Sequence, residues 1–171
     1  ATTHLATDTL RLTRLDVTSQ EFCGTSFKQI VAQDDGWVFR EYSYMPEAGT
    51  TERTISARAE PFVPVDSLPM WLRDYDFAAR QPVRFWTVPT QKSNRPTAGE
   101  PVLAEVRYAG EEDGSHKLEV VLTINGQPRP LGTFWMASDR LHVMTRYDGA
   151  DGTTYQLEKL ERVNYWTIVG E

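Results

Sequence analysis

The stretch GTFWMASDRLHVMTRYDGADGTTYQLEKLERVNYWTIVGE, residues 132–171, decides the fold that we predict for this chain. Within it, residues 141–147 alternate between two sets of side chains, which is the period of a β-strand with one buried face. Residues 148–152 contain two glycines, whose backbone freedom permits a chain reversal. Side chains in residues 154–160 again alternate between two faces, as in a second strand. The stretch therefore predicts two antiparallel strands that form a hairpin with a long tip.

The same two-residue period begins near the start of the chain. Residues 9–19 predict a first strand, and the phase of the alternation breaks at Thr13 or Arg14, as it does at a β-bulge. Residues 22–31 and 37–44 predict two further strands. The Asp-Gly dipeptide at residues 35–36 lies between them and is a strong signal for a two-residue hairpin.

Strand periodicity continues in the second half of the chain. Residues 54–59 and 82–88 each predict a short strand. Residues 102–108 and 117–124 predict a hairpin around a glycine-containing tip. The Asn-Gly dipeptide at residues 125–126 begins a proline-containing turn, which leads into the stretch that decides the fold.

One segment, residues 65–74, carries a helical signal instead. Asp66 is the expected N-cap, and Pro69 falls in the first turn, where a missing N–H costs little. Leu68, Trp71 and Leu72 follow the i, i+3, i+4 spacing of one apolar helix face. Because so short a helix is not stable alone, we expect this face to pack on the sheet.

About nine or ten strands and one or two brief helices predict a mainly β chain. This pattern is typical of a sandwich, a closed barrel or a curved sheet. We favour a single curved antiparallel sheet or open barrel wrapped on the short helix, because one helix with one large aromatic, Trp71, would fill the concave side. We expect one domain over residues 1–171, with residues 1–7 disordered.

Composition is that of a globular protein and argues against two classes of partner. The chain is 40% hydrophobic and 25% charged, and no apolar run approaches the ~18 residues needed to span a bilayer. The formal net charge is −6, and the basic residues are scattered. Nucleic-acid binding needs clustered cations, so we expect no nucleic-acid partner. Cys23 is the one cysteine, which excludes an intrachain disulfide, and we interpret it as a small buried side chain.

The sequence shows no catalytic or metal motif. His4, His116 and His142 are the three histidines, and none has the spacing of a zinc site. Ser138 and Asp139 are explained by turn chemistry, since the G-x-S-x-G elbow of a serine hydrolase is absent. We therefore predict no metal, no cofactor and no catalytic residue.

Aromatic residues are the feature most suggestive of a ligand. Five tryptophans and seven tyrosines are many for 171 residues. Most simply, they fill the core. The functional alternative is a cleft in which aromatic rings line an apolar ligand while arginines at the mouth hold a carboxylate or phosphate. The predicted ligand-binding residues are Trp71, Arg73, Arg84, Trp86, Arg107 and Trp135.

Three segments after residue 64 resemble a known family. They are DSLPMWLR (residues 66–73), VRYAGE (106–111) and WMASDR (135–140). In order and character they resemble the bacterial exported family called domain of unknown function 3108. The sequence departs from that pattern at residues 141–143, and its first half shows no likeness. Membership would imply a periplasmic or envelope β-protein similar to the lipoprotein-carrier half-barrels, with no catalytic residues to transfer.

Three functions remain open from the sequence. The first is non-enzymatic binding of an apolar or lipid-like molecule by an exported protein. The second is an enzyme that uses a similar cavity for acid–base chemistry, and the third is a carbohydrate-binding module. A start at Ala1, followed by Thr and Ala, is expected either of an excised fragment or of a chain after signal cleavage. The polar loop at residues 89–101 is typical of a lid or a flexible excursion.

Overall fold

The computed structural model describes residues 2–5, 12–21, 24–42, 44, 49–88 and 101–160. Most of these residues lie in β-strands, and every strand pair is antiparallel. The predicted mainly β class with one short helix is confirmed. Cys23, residues 89–100 of the long polar loop and residues 161–171 lie outside the described residues.

The first sheet contains five strands in chain order. They are β1 (Thr2–Leu5), β2 (Leu12–Glu21), β3 (Gly24–Gln33), β4 (Gly36–Tyr42) and β5 (Thr50–Ser56). Between β1 and β2, His4 lies opposite Arg14 and Leu5 lies opposite Leu12, so Thr13 is the extra residue of a bulge. The predicted bulge is confirmed. Thr2–Leu5 pairs with β2, in a segment for which disorder was predicted; residues 1, 6 and 7 of the predicted disordered segment lie outside the described residues.

The turn between β3 and β4 consists of Asp34 and Asp35, one position earlier than predicted. Gly36 pairs with Gln33 and is already part of β4. Its φ is 151°, and a Cβ atom at this position would lie 2.1 Å from the carbonyl oxygen of Ile55. Glycine is therefore required here for close approach of β5 as well as for its backbone freedom.

The second sheet contains six strands, and each is adjacent to the next in sequence. They are β6 (Val83–Thr87), β7 (Val102–Glu112), β8 (Ser115–Ile124), β9 (Gln127–Ala137), β10 (Met144–Gly149) and β11 (Thr154–Gln156). Two-residue turns, Asp113-Gly114 and Asn125-Gly126, join β7 to β8 and β8 to β9. All four turn residues have positive φ, as type I′ hairpins require.

Several boundaries in this sheet differ from the predictions. β7 extends to Glu112, β8 begins at Ser115, and β11 ends at Gln156 rather than at residue 160. The proline-containing segment after Asn125-Gly126 belongs to β9, where a shift in register opposite Val120 and Val121 accommodates it. In addition, β10 begins at Met144 rather than at Leu141. His142 has a φ of 45°, which is incompatible with an extended strand, so residues 138–143 form the connection between β9 and β10.

The predicted helix exists as three short consecutive turns. A 3₁₀ turn (Val65–Ser67) leads into α1 (Leu68–Trp71), and a second 3₁₀ turn (Leu72–Asp74) follows. Asp66 is not the N-cap. The preceding 3₁₀ turn moves that position to Ser67, whose hydroxyl donates to the carbonyl oxygen of Pro64 instead of capping α1. Residues 65–82, which include these turns, are called the cover segment below.

The cover segment packs on one face of the six-stranded sheet. Leu68 and Leu72 are fully buried against the sheet, and the ring of Trp71 lies 5.1 Å from that of Phe85. The predicted packing of the apolar helix face is confirmed. Among the described residues, no helix has the length and apolar character needed to cross a membrane.

The strands divide between two sheets, whereas the sequence favours one curved sheet or open barrel. The connection after β5 contains Pro61 and Pro64, which lack the N–H needed to extend a ladder. Two backbone hydrogen bonds join this connection to β6. The N–H of Val63 donates to the carbonyl oxygen of Trp86, and the N–H of Trp86 donates to the carbonyl oxygen of Pro61, each over 2.8 Å. The core of the five-stranded sheet extends to this junction through Phe62, Trp86 and Val88.

Candidate functional site

A row of three aromatic rings crosses the covered face of the six-stranded sheet. Phe134, Tyr147 and Tyr155 are opposite one another on β9, β10 and β11. The ring centroids of Phe134 and Tyr147 are 4.6 Å apart, and those of Tyr147 and Tyr155 are 6.0 Å apart with an interplanar angle of 25°. Exposure rises along the row, from 3% at Phe134 to 60% at Tyr155. The row therefore runs from the core to the solvent.

Two paired glycines make room for the central ring. Gly132 lies opposite Gly149 on β9 and β10. A Cβ atom on Gly132 would lie 2.7 Å from the Tyr147 ring, and one on Gly149 would lie 2.9 Å from its hydroxyl oxygen. These separations are too short for any side chain larger than hydrogen. The hydroxyl of Tyr147 donates to the carbonyl oxygen of Leu131 over 3.3 Å, which fixes the ring.

The aromatic row forms the floor of an open cleft of about 410 Å³. Val65 and Pro69 of the cover segment form one wall, and Met144 at the start of β10 extends the floor. This volume falls within the ~300–1,000 Å³ typical of small-molecule sites. The lining is mainly apolar, with a few polar groups near the opening.

The charged side chains that line the cleft, Asp66 and Asp151, are acidic. Asp66 faces the cleft from the cover segment, and its carboxylate is 3.7 Å from Lys28 Nζ on β3. Asp151 lies in the β10–β11 turn, where Oδ1 accepts the N–H of Thr153 over 2.9 Å. Burial, with smaller contributions from Asp151 and Tyr155, raises the pKa of Tyr147. The phenol therefore stays neutral at pH 7, and the charged side chains that line the cleft are two carboxylates, of which Asp66 is paired with Lys28.

A second hollow, of about 420 Å³, lies at the β3–β4 turn. Its lining is Gln33, Asp34, Asp35, Gly36 and Thr54. These residues provide no apolar side chain to displace water from a ligand. The cleft under the cover segment is therefore the better candidate site.

Comparison with protein-family models, with curated proteins and with solved structures finds no match. The resemblance to domain of unknown function 3108 accordingly stays a prediction.

The predicted ligand-binding residues do not converge on the cleft. Trp71 and Arg73 belong to the cover segment, but Trp71 packs against Phe85 within the core. Arg73 Nε donates to the carbonyl oxygen of Leu141 over 2.9 Å. Arg73 therefore joins the cover segment to the β9–β10 connection, and it does not line the cleft.

Two predicted arginines are on the opposite face of the six-stranded sheet. Arg84 and Arg107 alternate with the buried Phe85 and Val106, so they point away from the covered face. Their Nε atoms lie 3.0 Å and 2.6 Å from the carboxylate of Glu105. Hydrogen bonds from Arg107 and Arg84 hold the pKa of Glu105 below its usual value. These guanidinium groups bind a carboxylate of the protein itself.

The remaining two predicted residues have separate structural contacts. Trp86 Nε1 donates to Glu60 over 2.9 Å, and the guanidinium of Arg58 lies 3.8 Å from the Trp86 ring centroid. Trp135 is 7% exposed, and its Nε1 donates to Glu112 over 3.2 Å. Lys117 and Arg146 lie over the Trp135 ring, at 5.4 Å and 4.4 Å from its centroid. Both indoles pack beneath charged side chains.

The predicted site omitted the residues that form the cleft. Tyr147 and Tyr155 belonged to the aromatic set, yet nothing in their spacing shows that they form a row with Phe134. A usable signal was Gly132, a glycine inside a strand, because such a residue often marks close approach of another group. The acidic turn at Asp151 gave no comparable signal.

The arrangement suits binding better than acid–base chemistry. Tyr147 is committed to a backbone carbonyl, Asp66 to a lysine and Asp151 to a backbone N–H. Within the described ranges, no group of three or more His, Cys, Asp or Glu side chains could hold a metal ion. The described cleft therefore offers an aromatic surface beside two carboxylates, one of which is paired with Lys28.

Proposed function

We propose that this protein binds a small apolar molecule, uncharged or positively charged, in the cleft under the cover segment. Binding without catalysis is the best-supported role. The aromatic row of Phe134, Tyr147 and Tyr155 provides an apolar surface. The charged side chains that line the cleft, Asp66 and Asp151, are both acidic, although Lys28 pairs with Asp66, so the lining favours a neutral or cationic ligand over an anionic one. This polarity is the reverse of the carboxylate or phosphate site expected from the arginines.

The observation that carries the proposal is the exposure of Tyr155. The residue is 60% exposed although its ring stacks on Tyr147, and it lines the cleft. A molecule in the cleft would cover this ring and the partly buried Tyr147 together. Burying that apolar surface would favour association by roughly 25 cal/mol per Å² before the costs of binding.

The other two functions have less support. A carbohydrate-binding module would be expected to present solvent-exposed tryptophan rings, but Trp37, Trp71, Trp86 and Trp135, the four described tryptophans, are buried or partly buried. An enzyme would be expected to have two unengaged titratable groups in the cleft. Export to the periplasm or cell envelope is part of the proposal and rests on the sequence alone.

Titration of the purified protein with matched amphiphiles tests the proposal. We expect dodecylamine and the neutral dye Nile red to bind, and dodecanoate to bind at least about tenfold more weakly, since ~1.4 kcal/mol corresponds to a factor of ten. Isothermal calorimetry and Nile red fluorescence measure these affinities. Equal affinity for the amine and the carboxylate would contradict the charge argument.

A pair of tyrosine variants locates the binding site. Tyr155→Ala removes the exposed end of the aromatic row, so we expect Nile red affinity to fall about fivefold to tenfold, corresponding to ~1–1.4 kcal/mol. Tyr42→Ala is the matched control, because Tyr42 is also exposed (38%) but lies on β4 of the other sheet. Equal effects of the two substitutions, or no binding by the unaltered protein, would refute the proposal.

A further inference from the structure

Two of the three histidines contact a single phenylalanine of the cover segment. The ring of Phe77 stacks on His116 at 4.3 Å with an interplanar angle of 17°, and it lies 4.4 Å from the ring of His142. The two imidazole centroids are 5.9 Å apart. Phe77, His116 and His142 are called the His–Phe cluster below. It joins the cover segment to β8 and to the β9–β10 connection.

Several ionisable groups surround the His–Phe cluster. They are Tyr75, Asp76 and Arg80 in the cover segment, Tyr108 and Glu111 on β7, and Asp139 in the β9–β10 connection. The carboxylate of Asp76 accepts the N–H groups of Ala78 and Ala79. The carboxylate of Asp139 likewise accepts those of Leu141 and His142. Backbone groups therefore already engage both aspartates.

Glu111 is the carboxylate that contacts an imidazole, and it is shared. Its Oε1 atom lies 3.5 Å from His116 Nδ1, 3.0 Å from Arg80 Nη2 and 3.0 Å from the hydroxyl of Tyr108. The guanidinium of Arg80 also lies 4.5 Å from the Tyr108 ring centroid. If both imidazoles were protonated, His116 and Arg80 would share this one carboxylate, and the second imidazolium, His142, would lie 5.9 Å from the first. Attraction of each imidazolium to Phe77 would offset only part of that repulsion.

The backbone at the His–Phe cluster is held in an unfavourable conformation. Arg80 has a φ of 55° and His142 a φ of 45°, in the left-handed region that costs free energy for residues other than glycine. The other non-glycine residues with positive φ in the described ranges are Asp113 and Asn125, both in tight hairpin turns. The N–H groups of Arg80 and His142 donate to Asp76 and Asp139, and these hydrogen bonds hold the two turns that bring the cover segment and the β9–β10 connection to the cluster.

We propose that the His–Phe cluster is an acid-sensitive contact, which holds the cover segment on the six-stranded sheet at neutral pH and releases it on acidification. The side chain of His116 is only 12% exposed, and burial is the largest cause that lowers its pKa below 6.5. Because the folded state disfavours the protonated form, the stabilisation is complete above pH 6.5 and declines as the pH falls below it.

This release would regulate the cleft, a consequence that rests on the proposed function. Val65 and Pro69 form the cleft wall and belong to the same cover segment as Phe77. Met144 on the cleft floor is two residues from His142. Separation of Phe77 from the imidazoles would therefore loosen both sides of the cleft, and a bound apolar molecule would dissociate faster at acidic pH.

Hydrogen exchange followed by mass spectrometry tests the contact directly. With rates corrected for intrinsic exchange, we expect peptides covering residues 65–82 to exchange at least about fivefold faster at pH 5.5 than at pH 7.5. The double variant His116→Gln, His142→Gln should lose this dependence. His4→Gln is the matched control. Because His4 lies on β1, its substitution should leave the pH dependence of exchange unchanged. An unchanged acid response in the double variant, or none in the unaltered protein, would overturn the proposal.

A second variant keeps the test informative if the double histidine variant does not fold. Phe77→Leu keeps an apolar side chain but removes the ring that both imidazoles contact, so residues 65–82 should exchange faster at both pH values and lose most of the pH dependence. Retention of the full pH dependence would overturn the proposal even if the double histidine variant did not fold.

Nile red titration at pH 7.5 and 5.5 separates the two proposals. A lower affinity at pH 5.5, abolished by the histidine substitutions, supports regulation of the cleft. If Nile red binds at neither pH while exchange still responds to acid, the proposed function fails and the acid-sensitive contact stands. Binding that does not change with pH would refute regulation of the cleft.

Discussion

The two sheets are stabilised in different ways, and the difference explains where the candidate site lies. The outer face of the five-stranded sheet carries polar side chains that lie opposite one another on β2, β3, β4 and β5. In order across the sheet these are Asp16, Gln29, Arg40 and Glu52. Hydrogen bonds connect each neighbour to the next, at 2.8, 3.3 and 2.6 Å. The register of the four strands is sufficient to place these side chains next to one another.

The six-stranded sheet, in contrast, buries its apolar face beneath chain that is not β-strand. The cover segment presents Leu68, Leu72 and Trp71 to the sheet. A short helical segment cannot match a twisted sheet along its whole width, so the cleft is left beside Pro69 and a separate contact is needed at Phe77. Both proposed functional features thus occur where two kinds of secondary structure meet.

Substitution of Gly36 should have the largest effect and tests whether backbone geometry governs the five-stranded sheet. In Gly36→Ala the new Cβ would meet the carbonyl oxygen of Ile55 at 2.1 Å, so β5 must move. We expect a loss of more than about 4 kcal/mol in the free energy of unfolding, measured by urea denaturation. Gly126→Ala is the control. Gly126 also has positive φ, but nothing lies within 4 Å of a Cβ atom added there. This substitution should therefore lower the free energy of unfolding by ~1–2 kcal/mol.

Truncation of Leu72 should have the next largest effect and tests the contribution of the cover segment. Leu72 is fully buried between the cover segment and the six-stranded sheet. Leu72→Ala would leave a cavity, and we expect a loss of about 2–5 kcal/mol in the free energy of unfolding. Met70→Ala, at an exposed position of the same helix, should cost less than about 1 kcal/mol. Similar losses for the two would show that the cover segment adds little stability.

The polar row should show the smallest effect. Arg40→Ala removes the hydrogen bonds to Gln29 and Glu52, but both are exposed to water that can replace them. We expect the free energy of unfolding, measured by urea denaturation, to fall by less than about 1 kcal/mol. A loss as large as that of Leu72→Ala would contradict the view that strand register and inner-face packing, rather than this row, stabilise the five-stranded sheet.

Hairpins could be predicted from sequence because their signals are local. Asp113-Gly114 and Asn125-Gly126 adopt positive φ where few other residues do, and the phase break at Thr13 marks a bulge within a few residues of itself. The helix was also predictable, since Leu68, Trp71 and Leu72 are close in the chain. Its cap was not, because the preceding 3₁₀ turn depends on how the chain leaves Pro64.

The site could not be predicted because its contacts join residues far apart in sequence. Arg84 and Arg107 have the chemistry of an anion site, yet strand register places both against Glu105. Conversely, Phe134, Tyr147 and Tyr155 become a continuous surface only because β9, β10 and β11 pair in that register. Phe77 gave no signal at all, since both of its imidazole partners lie in the second half of the chain.

By itself, the sequence determined the mainly β class, most of the hairpins, one bulge and the apolar face of the short helix, because each depends on conformational preferences over a few residues. Only the tertiary structure decided the division into two sheets, the cleft and the His–Phe cluster. These features depend on which face of each sheet is covered and on which segment covers it. Packing between segments that are distant in the chain determines both.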